Sequence, residues 1–223
     1  MRSLLVLTLV ALSLSGCSSN PNAIEPVDLT RIDQSYKVDR LWRSGAGSGT
    51  DDAALWLRLA LSTDAVFAAD AKGRVFAFSS DEGKRLWKVD LDERISAGVS
   101  AGYGLVLLGS RSGDLVALSD EDGGEQWRQP LSSELLAPPA VGGGLVVAQT
   151  LDGRVTAFDV ESGEQAWQYE SVVPVLSLRG TATPVIAGGR VYVGSASGKV
   201  AALELSSGVP IWEQRVAEPS GRS

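Results

Sequence analysis

The 223-residue chain carries 20 basic and 27 acidic residues, so its formal net charge at pH 7 is −7. This acidic balance, without a cluster of lysines and arginines, argues against binding to nucleic acid or to anionic lipid head groups. The sequence has no histidine and one cysteine. It therefore lacks the commonest general base and zinc ligand, and it can form no internal disulfide.

The chain begins with a targeting segment. Arg2 is followed by an apolar run, Leu4–Leu14, and then by small residues that end at Cys17. This pattern predicts a secretory signal peptide over residues 1–16, too short to span a bilayer permanently. LSGC (residues 14–17) matches the bacterial lipobox, so Cys17 is the predicted site of acylation. The alternative is an ordinary signal peptide with an incidental cysteine.

The segment after the cysteine is polar. Residues 17–36 contain Pro21 and Pro26 and predict a flexible tether that holds the globular part in the periplasm. Ser18, not aspartate, follows the cysteine. That choice is typical of lipoproteins sorted to the outer membrane.

Residues 37–223 contain a repeat. Each copy ends in a tryptophan, and the steps between these tryptophans are 40, 40 and 45 residues: Trp87, Trp127, Trp167 and Trp212. Short apolar runs separated by glycine turns indicate antiparallel strands within each copy. A period of this length built from strands predicts an all-β fold. We expect an all-β β-propeller of four-stranded antiparallel blades, with about four of an expected eight blades present.

Two positions inside the repeat predict how the blades pack. An alanine lies ten residues before each tryptophan, at Ala77, Ala117, Ala157 and Ala202. A small residue in mid-strand lets neighbouring sheets approach closely. The tryptophans are predicted to wedge between blades, because a large aromatic at a fixed repeat position usually packs. The alternative is that they stack on a ligand.

The start of the propeller segment is out of step. Lys37–Ser44 resembles an outer strand, with Trp42 placed 45 residues before Trp87, but no inner strands precede it. The chain is therefore expected to be the front half of a longer ring, whose first strand completes a last blade. A four-bladed ring with a spare strand is the alternative. Trp56, in the predicted first inner strand Ala53–Ser62, is expected in the core.

The search for reactive groups finds no convincing active site, and we expect no enzyme, no cofactor and no metal. No glycine pattern matches a dinucleotide-binding or phosphate-binding loop. Acidic residues cluster at Asp81-Glu82 and at Asp120-Glu121-Asp122, in the second hairpin turn of a repeat. Asp favours such turns, whereas Ca²⁺ needs six or more converging oxygens. Solvated turns are therefore the preferred interpretation, with a calcium site as the alternative.

The last period is five residues too long. The surplus lies between Trp167 and the strand Gly189–Gly194, in an apolar stretch that contains Leu176, Leu178 and Arg179. Leucines beside an arginine on an exposed loop would form a protein-binding patch. The leucines would otherwise fold under the loop and fill the gap that the insertion creates. Spacing alone leaves both interpretations open.

These features together resemble a known family, the outer-membrane protein assembly factors BamB. The resemblance covers the mature sequence and rests on the lipobox, the tether, the Ala–Gly–Trp repeat, LSLRG (residues 176–180) and IWEQRV (residues 211–216). It implies a non-enzymatic, eight-bladed propeller, anchored to the inner leaflet of the outer membrane and facing the periplasm.

The resemblance also implies partners. Members of the family belong to the BAM complex, bind the POTRA domains of BamA and assist the insertion of outer-membrane β-barrels; no small-molecule substrate is expected. The segment implied to contact BamA maps onto Leu176, Ser177, Leu178 and Arg179. A further family contact, an acidic loop just past the fourth blade, would lie beyond Ser223.

Two other functions are compatible with a propeller. A PQQ-dependent dehydrogenase shares the tryptophan repeat, but its calcium ion, catalytic acid and adjacent cysteines have no counterpart here. A holdase would pair unfolded barrel strands along its exposed sheet edges.

Overall fold

A computed structural model describes residues 30, 36–51, 55, 57–171 and 182–217. The chain divides into two units, residues 1–39 and residues 40–223. In the first unit the described part is Thr30 and residues 36–39, where Lys37 Nζ lies 3.3 Å from Asp39 Oδ1. The following paragraphs concern the second unit.

The second unit consists of four antiparallel sheets, each formed by four strands that are consecutive along the chain. The first blade contains β1 (Ala60–Leu61), β2 (Ala65–Ala69), β3 (Arg74–Ser79) and β4 (Arg85–Asp90). The second contains β5 (Ile95–Gly102), β6 (Leu105–Ser110), β7 (Asp114–Ser119) and β8 (Glu125–Pro130). The third contains β9 (Ala140–Gly142), β10 (Leu145–Gln149), β11 (Arg154–Asp159) and β12 (Gln165–Glu170). The fourth contains β13 (Val185–Ala187), β14 (Arg190–Gly194), β15 (Lys199–Glu204) and β16 (Pro210–Arg215).

This architecture confirms the predicted fold class. Every sheet is a four-stranded antiparallel meander, and the described residues include no helix. In particular, no helix among them is long and apolar enough to cross a lipid bilayer. The four blades are those that the tryptophan register predicts.

The repeat sets the register of the two outer strands in the same way in every blade. Each repeat alanine lies directly opposite the repeat tryptophan, and the ladder shifts by one residue immediately afterwards. The pairs are Ala77–Trp87, Ala117–Trp127, Ala157–Trp167 and Ala202–Trp212. A methyl group opposite an indole leaves room for the ring, and the shift is an irregularity of the β-bulge kind that repeats in every blade.

The core lies between blades. Three clusters of buried apolar side chains fill the three seams that join the first to the second, the second to the third, and the third to the fourth blade. Strands β2, β3, β6 and β7 are apolar on both faces because both faces are covered. The inner strands of the second and third blades therefore each belong to two seams, as sheet-on-sheet packing requires.

The predicted outer strand at Lys37–Ser44 does not form in the described structure. Residues 37–46 are in no sheet, because a strand needs a backbone partner and none of the described strands pairs with them. The first inner strand is also shorter than predicted, and its described part is Ala60–Leu61. Trp56 lies outside the described residues.

Candidate functional site: blade seams and the third connector

Each seam is closed by the indole of a repeat tryptophan. The Nε1–H of Trp87 donates to the Asp120 carbonyl at 2.9 Å, and that of Trp127 donates to the Val160 carbonyl at 3.1 Å. Trp167 donates to the Leu205 carbonyl at 2.8 Å. In every case the acceptor lies seven residues before the next repeat tryptophan. A buried indole thus satisfies its one donor across the seam.

A glycine of the next blade makes room for each ring. Gly123, Gly163 and Gly208 lie four residues before a repeat tryptophan and have φ values of 78°, 71° and 70°. A Cβ added to any of the three would overlap the indole of the preceding blade. Glycine is required at these positions for two reasons: the backbone is left-handed, and the ring approaches too closely for a Cβ.

The N-terminal segment repeats this contact on the first blade. Trp42 Nε1–H donates to the Ser80 carbonyl at 2.9 Å, and the Trp42 ring covers Gly83. Ser44 Oγ donates to the Gly83 carbonyl. Ser80 and Gly83 have the same offsets from Trp87 as the other acceptors and glycines have from their own tryptophans. Residues 40–51, which we call the N-terminal strap, therefore occupy the place of a preceding blade's outer strand.

Trp212 is the exception among the repeat tryptophans. Its side chain is 41% exposed, whereas Trp87, Trp127 and Trp167 are buried. Its ring contacts Tyr192 at a centroid distance of 6.2 Å. Within the described residues its Nε1–H has no acceptor.

The five surplus residues lie in one connector. The distance from the repeat tryptophan to the next inner-hairpin glycine is 17 residues for Trp87 to Gly104 and for Trp127 to Gly144, but 22 residues for Trp167 to Gly189. The third connector, between β12 and β13, therefore holds the whole insertion. The predicted partner-binding residues Leu176, Ser177, Leu178 and Arg179 belong to it and lie outside the described residues, as does Cys17.

The described residues near this connector include a side-chain contact between the third and fourth blades. Gln149, at the end of β10, is 3% exposed, and its Nε2 donates to the Gly194 carbonyl of the fourth blade at 2.8 Å. Ala182, at the far end of the connector, lies beside Gly194. The other side-chain atom of this amide, Oε1, is buried without a hydrogen-bond donor in the described structure. Sequence reasoning missed Gln149, since the residues at the same offset in the other blades are alanine or glycine.

A polar network bridges the same seam on the outer strands. Tyr169 Oη–H donates to Glu213 Oε1 at 2.6 Å, and Lys199 Nζ lies 3.1 Å from Glu213 Oε2. Burial, and then the hydrogen bond to this carboxylate, raises the pKa of Tyr169 to about 12. The hydrogen bonds from Tyr169 and Lys199 lower the pKa of Glu213. The third and fourth blades are thus joined by an indole, an amide and a charged network.

The first two blades carry a comparable ion-pair group. Arg128 Nη1, on β8, lies 2.5 Å from Oε1 of Glu93, which is in the connector between β4 and β5. Arg128 Nη2 lies 2.8 Å from Oε2 of Glu125 on the same strand. Glu93 also accepts a hydrogen bond from Ser112 at 3.0 Å. Burial opposes ionisation of Glu93, but the hydrogen bonds from Arg128 and the serines outweigh it and lower the pKa of this carboxyl. Each of these charged groups thus has a partner of opposite sign.

The acidic turns act as turns. Asp122 Oδ1 accepts from the Gly124 amide at 2.9 Å, and Asp81 Oδ1 accepts from the Glu82 amide at 2.8 Å. Both are local bonds of the kind that fixes an Asp-containing turn. Among the described residues no group of three or more histidine, cysteine or acidic side chains is placed to hold a metal ion.

Comparison with known proteins identifies the family. A family model described as outer membrane protein assembly factor BamB matches residues 71–223. A protein of the same name from Pseudomonas aeruginosa is 52% identical over 215 residues, which is 96% of this chain and 57% of the relative. The chain belongs to the BamB family. The resemblance expected from its motifs is thereby confirmed, and the chain spans little more than half the length of this BamB relative.

Solved structures agree with this assignment. BamB from Moraxella catarrhalis is 32% identical, with a TM-score of 0.65 over 72% of this chain and 48% of that one. A quinohemoprotein alcohol dehydrogenase from Pseudomonas putida has a TM-score of 0.61 at 17% identity, over 80% of this chain and 36% of that one, and so shares the fold alone. The named BamB relatives are assembly factors, in agreement with the prediction of a non-enzymatic protein.

Proposed function

We propose that this chain acts in outer-membrane protein assembly as a scaffold that binds the POTRA domains of BamA within the BAM complex. The observation that carries the proposal is the family membership together with the position of the insertion. The segment that the family resemblance implies contacts BamA lies in the one connector whose length departs from the repeat.

The described residues support this role through the contacts that join the two blades flanking the connector. The third connector leaves β12 beside Trp167, which is locked to the fourth blade, and it enters β13 beside Ala182 and Gly194. Gln149 fixes the distance between the two blades at the same rim. A binding loop whose ends are held in this way loses less conformational entropy when a partner binds.

The composition of the connector suits a protein partner. Leu176 and Leu178 would supply apolar anchors, Arg179 a charge-assisted hydrogen bond to a carboxylate or carbonyl group, and Ser177 a neutral hydrogen bond. No reactive group is needed for such a contact. This agrees with the absence of histidine from the sequence.

The proposal includes a membrane anchor at Cys17. In the lipobox mechanism this thiol carries a diacylglyceryl group and the new N-terminus an acyl chain. Each buried methylene contributes roughly 0.8 kcal/mol, and several chains together give stable attachment. The chain would then face the periplasm from the outer membrane. Cys17→Ser should remove the chain from the outer-membrane fraction, as immunoblotting of separated membranes would show.

The BamA contact is tested by capture from cells that express the tagged full chain. Leu178→Ala combined with Arg179→Ala should reduce recovery of BamA about tenfold or more, because hot-spot residues each contribute on the order of 2 kcal/mol. Quantitative immunoblotting of BamA against the tagged chain gives the ratio.

The first blade offers a matched control for this double variant. Arg85 and Leu86 on β4 are adjacent, exposed and of the same residue types. Arg85→Ala with Leu86→Ala should leave BamA recovery unchanged. Equal recovery with the Leu178/Arg179 variant and the wild type would contradict the proposed contact, and equal loss with both variants would show a general effect on the propeller.

A further inference from the structure

A cavity of about 380 Å³ opens at the seam between the second and third blades. Its lining comes from the β5–β6 and β7–β8 turns of the second blade and from the β11–β12 turn of the third. Leu105 and Val160 are its buried apolar residues. The second blade packs on the first and the third, and the third packs on the fourth as well. The cavity therefore lies on a seam whose two blades both have their neighbours.

The cavity is at the opposite edge of the sheets from the third connector. In a four-stranded antiparallel meander the first and third turns share one edge, and the second turn and the connector to the next blade share the other. The three turns that line the cavity are first or third turns of their blades. A ligand in the cavity would therefore make a contact separate from the one proposed for residues 176–179.

Tyr103 is in this lining with a backbone conformation that favours glycine. It lies 24 residues before its repeat tryptophan, where the third and fourth blades have Gly143 and Gly188. All three residues are left-handed, with φ values of 56°, 59° and 57°. Glycine adopts this conformation without strain, whereas a bulky side chain does so at a cost. A tyrosine at this position points to a role for its side chain beyond the turn itself.

Two differences between the seams accompany the cavity. In the seam between the third and fourth blades Leu205 lies close to Gly143, since a Cβ added to Gly143 would be 2.7 Å from Leu205 Cδ2. The corresponding residues in the seam of the cavity are the shorter Val160 and the larger Tyr103. The Tyr103 side chain reaches the third blade, where the Gly144 amide donates to Tyr103 Oη at 3.3 Å, and it remains 60% exposed. An aromatic ring is thus held at the cavity and open to a ligand.

The charge of the lining is negative. Asp120, Glu121 and Glu161 contribute three carboxyl groups, and none of the nine lining residues is basic. In the part of the chain that the structure describes, no lysine or arginine forms an ion pair with any of these three carboxylates. Carboxylates and the face of an aromatic ring both attract cations. The cavity is therefore complementary to a positively charged group with an apolar stem.

We propose that this cavity, which we call the seam pocket, binds an arginine side chain of a partner protein. The guanidinium group would lie on the Tyr103 ring and donate to Glu121 and Glu161, one carboxylate from each blade. The aliphatic stem would cover Leu105 and Val160. A planar cation that stacks on a ring and donates in several directions suits this lining better than the compact ammonium group of lysine.

Titration of the isotopically labelled full chain with the blocked peptide acetyl-Gly-Arg-Gly-amide measures the binding and locates it by NMR. Amide shifts should change at residues 103–105, 119–121 and 160–161. The same peptide with citrulline in place of arginine keeps the shape but not the charge, and should bind about fivefold more weakly or less. Shifts spread over the whole acidic surface, or equal binding of the two peptides, would overturn the proposal. The titration involves no BamA, so its outcome is independent of the contact at residues 176–179.

Tyr103→Gly tests the ring, because it installs the residue that the third and fourth blades have at this turn. It should weaken binding of the arginine peptide about fivefold, while the urea midpoint of unfolding stays equal to or above that of the wild type. Tyr103→Phe keeps the ring without the hydroxyl that meets Gly144, and it should bind as the wild type does. A loss of stability in Tyr103→Gly with unchanged binding would assign the side chain to joining the blades and overturn the proposal.

A second variant tests the charges without altering the turn. Glu121→Gln combined with Glu161→Gln should weaken binding of the arginine peptide about fivefold and leave that of the citrulline peptide unchanged. Glu82→Gln combined with Glu164→Gln is the matched control, since both are exposed glutamates of the same hairpin turns outside the lining. Equal weakening by the two double variants would show that the peptide responds to net charge alone, and would contradict a seam pocket.

Discussion

At the scale of single residues, a tryptophan and a glycine of the next blade form the unit that holds the propeller together. The indole supplies apolar surface and one hydrogen-bond donor. The glycine has no Cβ, so the ring can approach its backbone closely. Neither residue does this alone. Trp127 and Gly163, for example, are 36 residues apart in the sequence. A short repeat therefore encodes a long-range contact.

Gly163→Ala should destabilise the chain by about 2–4 kcal/mol. About 1–2 kcal/mol comes from a side chain at φ 71°, and the rest comes from a Cβ that lies 2.7 Å from the Trp127 ring. Urea unfolding followed by circular dichroism gives the free energy of unfolding.

Gly104→Ala is the matched control. Its φ is 76° and nothing lies within 4 Å of the added Cβ, so it should cost only the backbone term of about 1–2 kcal/mol. In a Trp127→Ala background, the free-energy cost of Gly163→Ala should fall to that of Gly104→Ala. Equal costs for the two glycines in the wild-type background would show that the indole contact contributes little.

The sequence predicted the tryptophan of this pair but not its acceptor. The tryptophan recurs at one position of the repeat and is therefore visible in the sequence. The carbonyls that accept its hydrogen bond belong to residues with no common side chain: Asp120, Val160 and Leu205. A backbone acceptor leaves no trace in residue identity. The offset of seven residues becomes visible only when strand register is known.

At the scale of elements, the N-terminal strap is held by a buried carboxylate. Asp70 is 0% exposed, and it accepts hydrogen bonds from the Ser48 amide at 3.0 Å and from Arg74 Nε at 2.7 Å. Burial opposes its ionisation, but the hydrogen bonds from Ser48 and Arg74 outweigh burial and keep the pKa of Asp70 below its usual range. The sequence shows only an aspartate before a glycine turn, since Ser48 is 22 residues away.

The stability that Asp70 provides should depend on pH. Because its folded pKa is depressed, the contribution is complete above the usual Asp range, shrinks as pH falls below about 4, and is lost once the folded carboxylate is protonated. Asp70→Asn should therefore lower the free energy of unfolding by about 2 kcal/mol at pH 7, and by much less under acid conditions. Unfolding curves across this range measure the difference.

An exposed carboxylate provides the comparison for this titration. Asp64→Asn changes a solvent-exposed side chain in the β1–β2 turn and should change the free energy of unfolding by less than about 0.5 kcal/mol. A cost for Asp70→Asn that is the same at pH 7 and in acid would show that the ionised form of Asp70 gives no extra stability.

At the scale of the whole molecule, each blade contacts only its sequence neighbours, so stability should vary along the chain as in other repeat proteins. The number and order of blades followed from the sequence because one period governs them. The environment of the fourth blade did not follow, since the same repeat residues are buried or exposed according to whether a neighbour covers them. Trp167 and Trp212 illustrate this: their positions in the repeat are identical and their burial differs.

Hydrogen exchange should show this gradient. Strands β12 and β16 are both outer strands with the same ladder to their inner neighbour, but only β12 has its tryptophan buried in a seam. Amides of β16 should exchange about tenfold or more faster than those of β12. Local opening of the fourth blade disrupts one seam, whereas opening of the third disrupts two. Mass spectrometry of peptides from 165–170 and 210–215 gives both rates in one experiment, and equal protection would contradict nearest-neighbour stability. Trp167→Ala should bring the β12 rate close to that of β16, because it removes the lock that distinguishes the two strands.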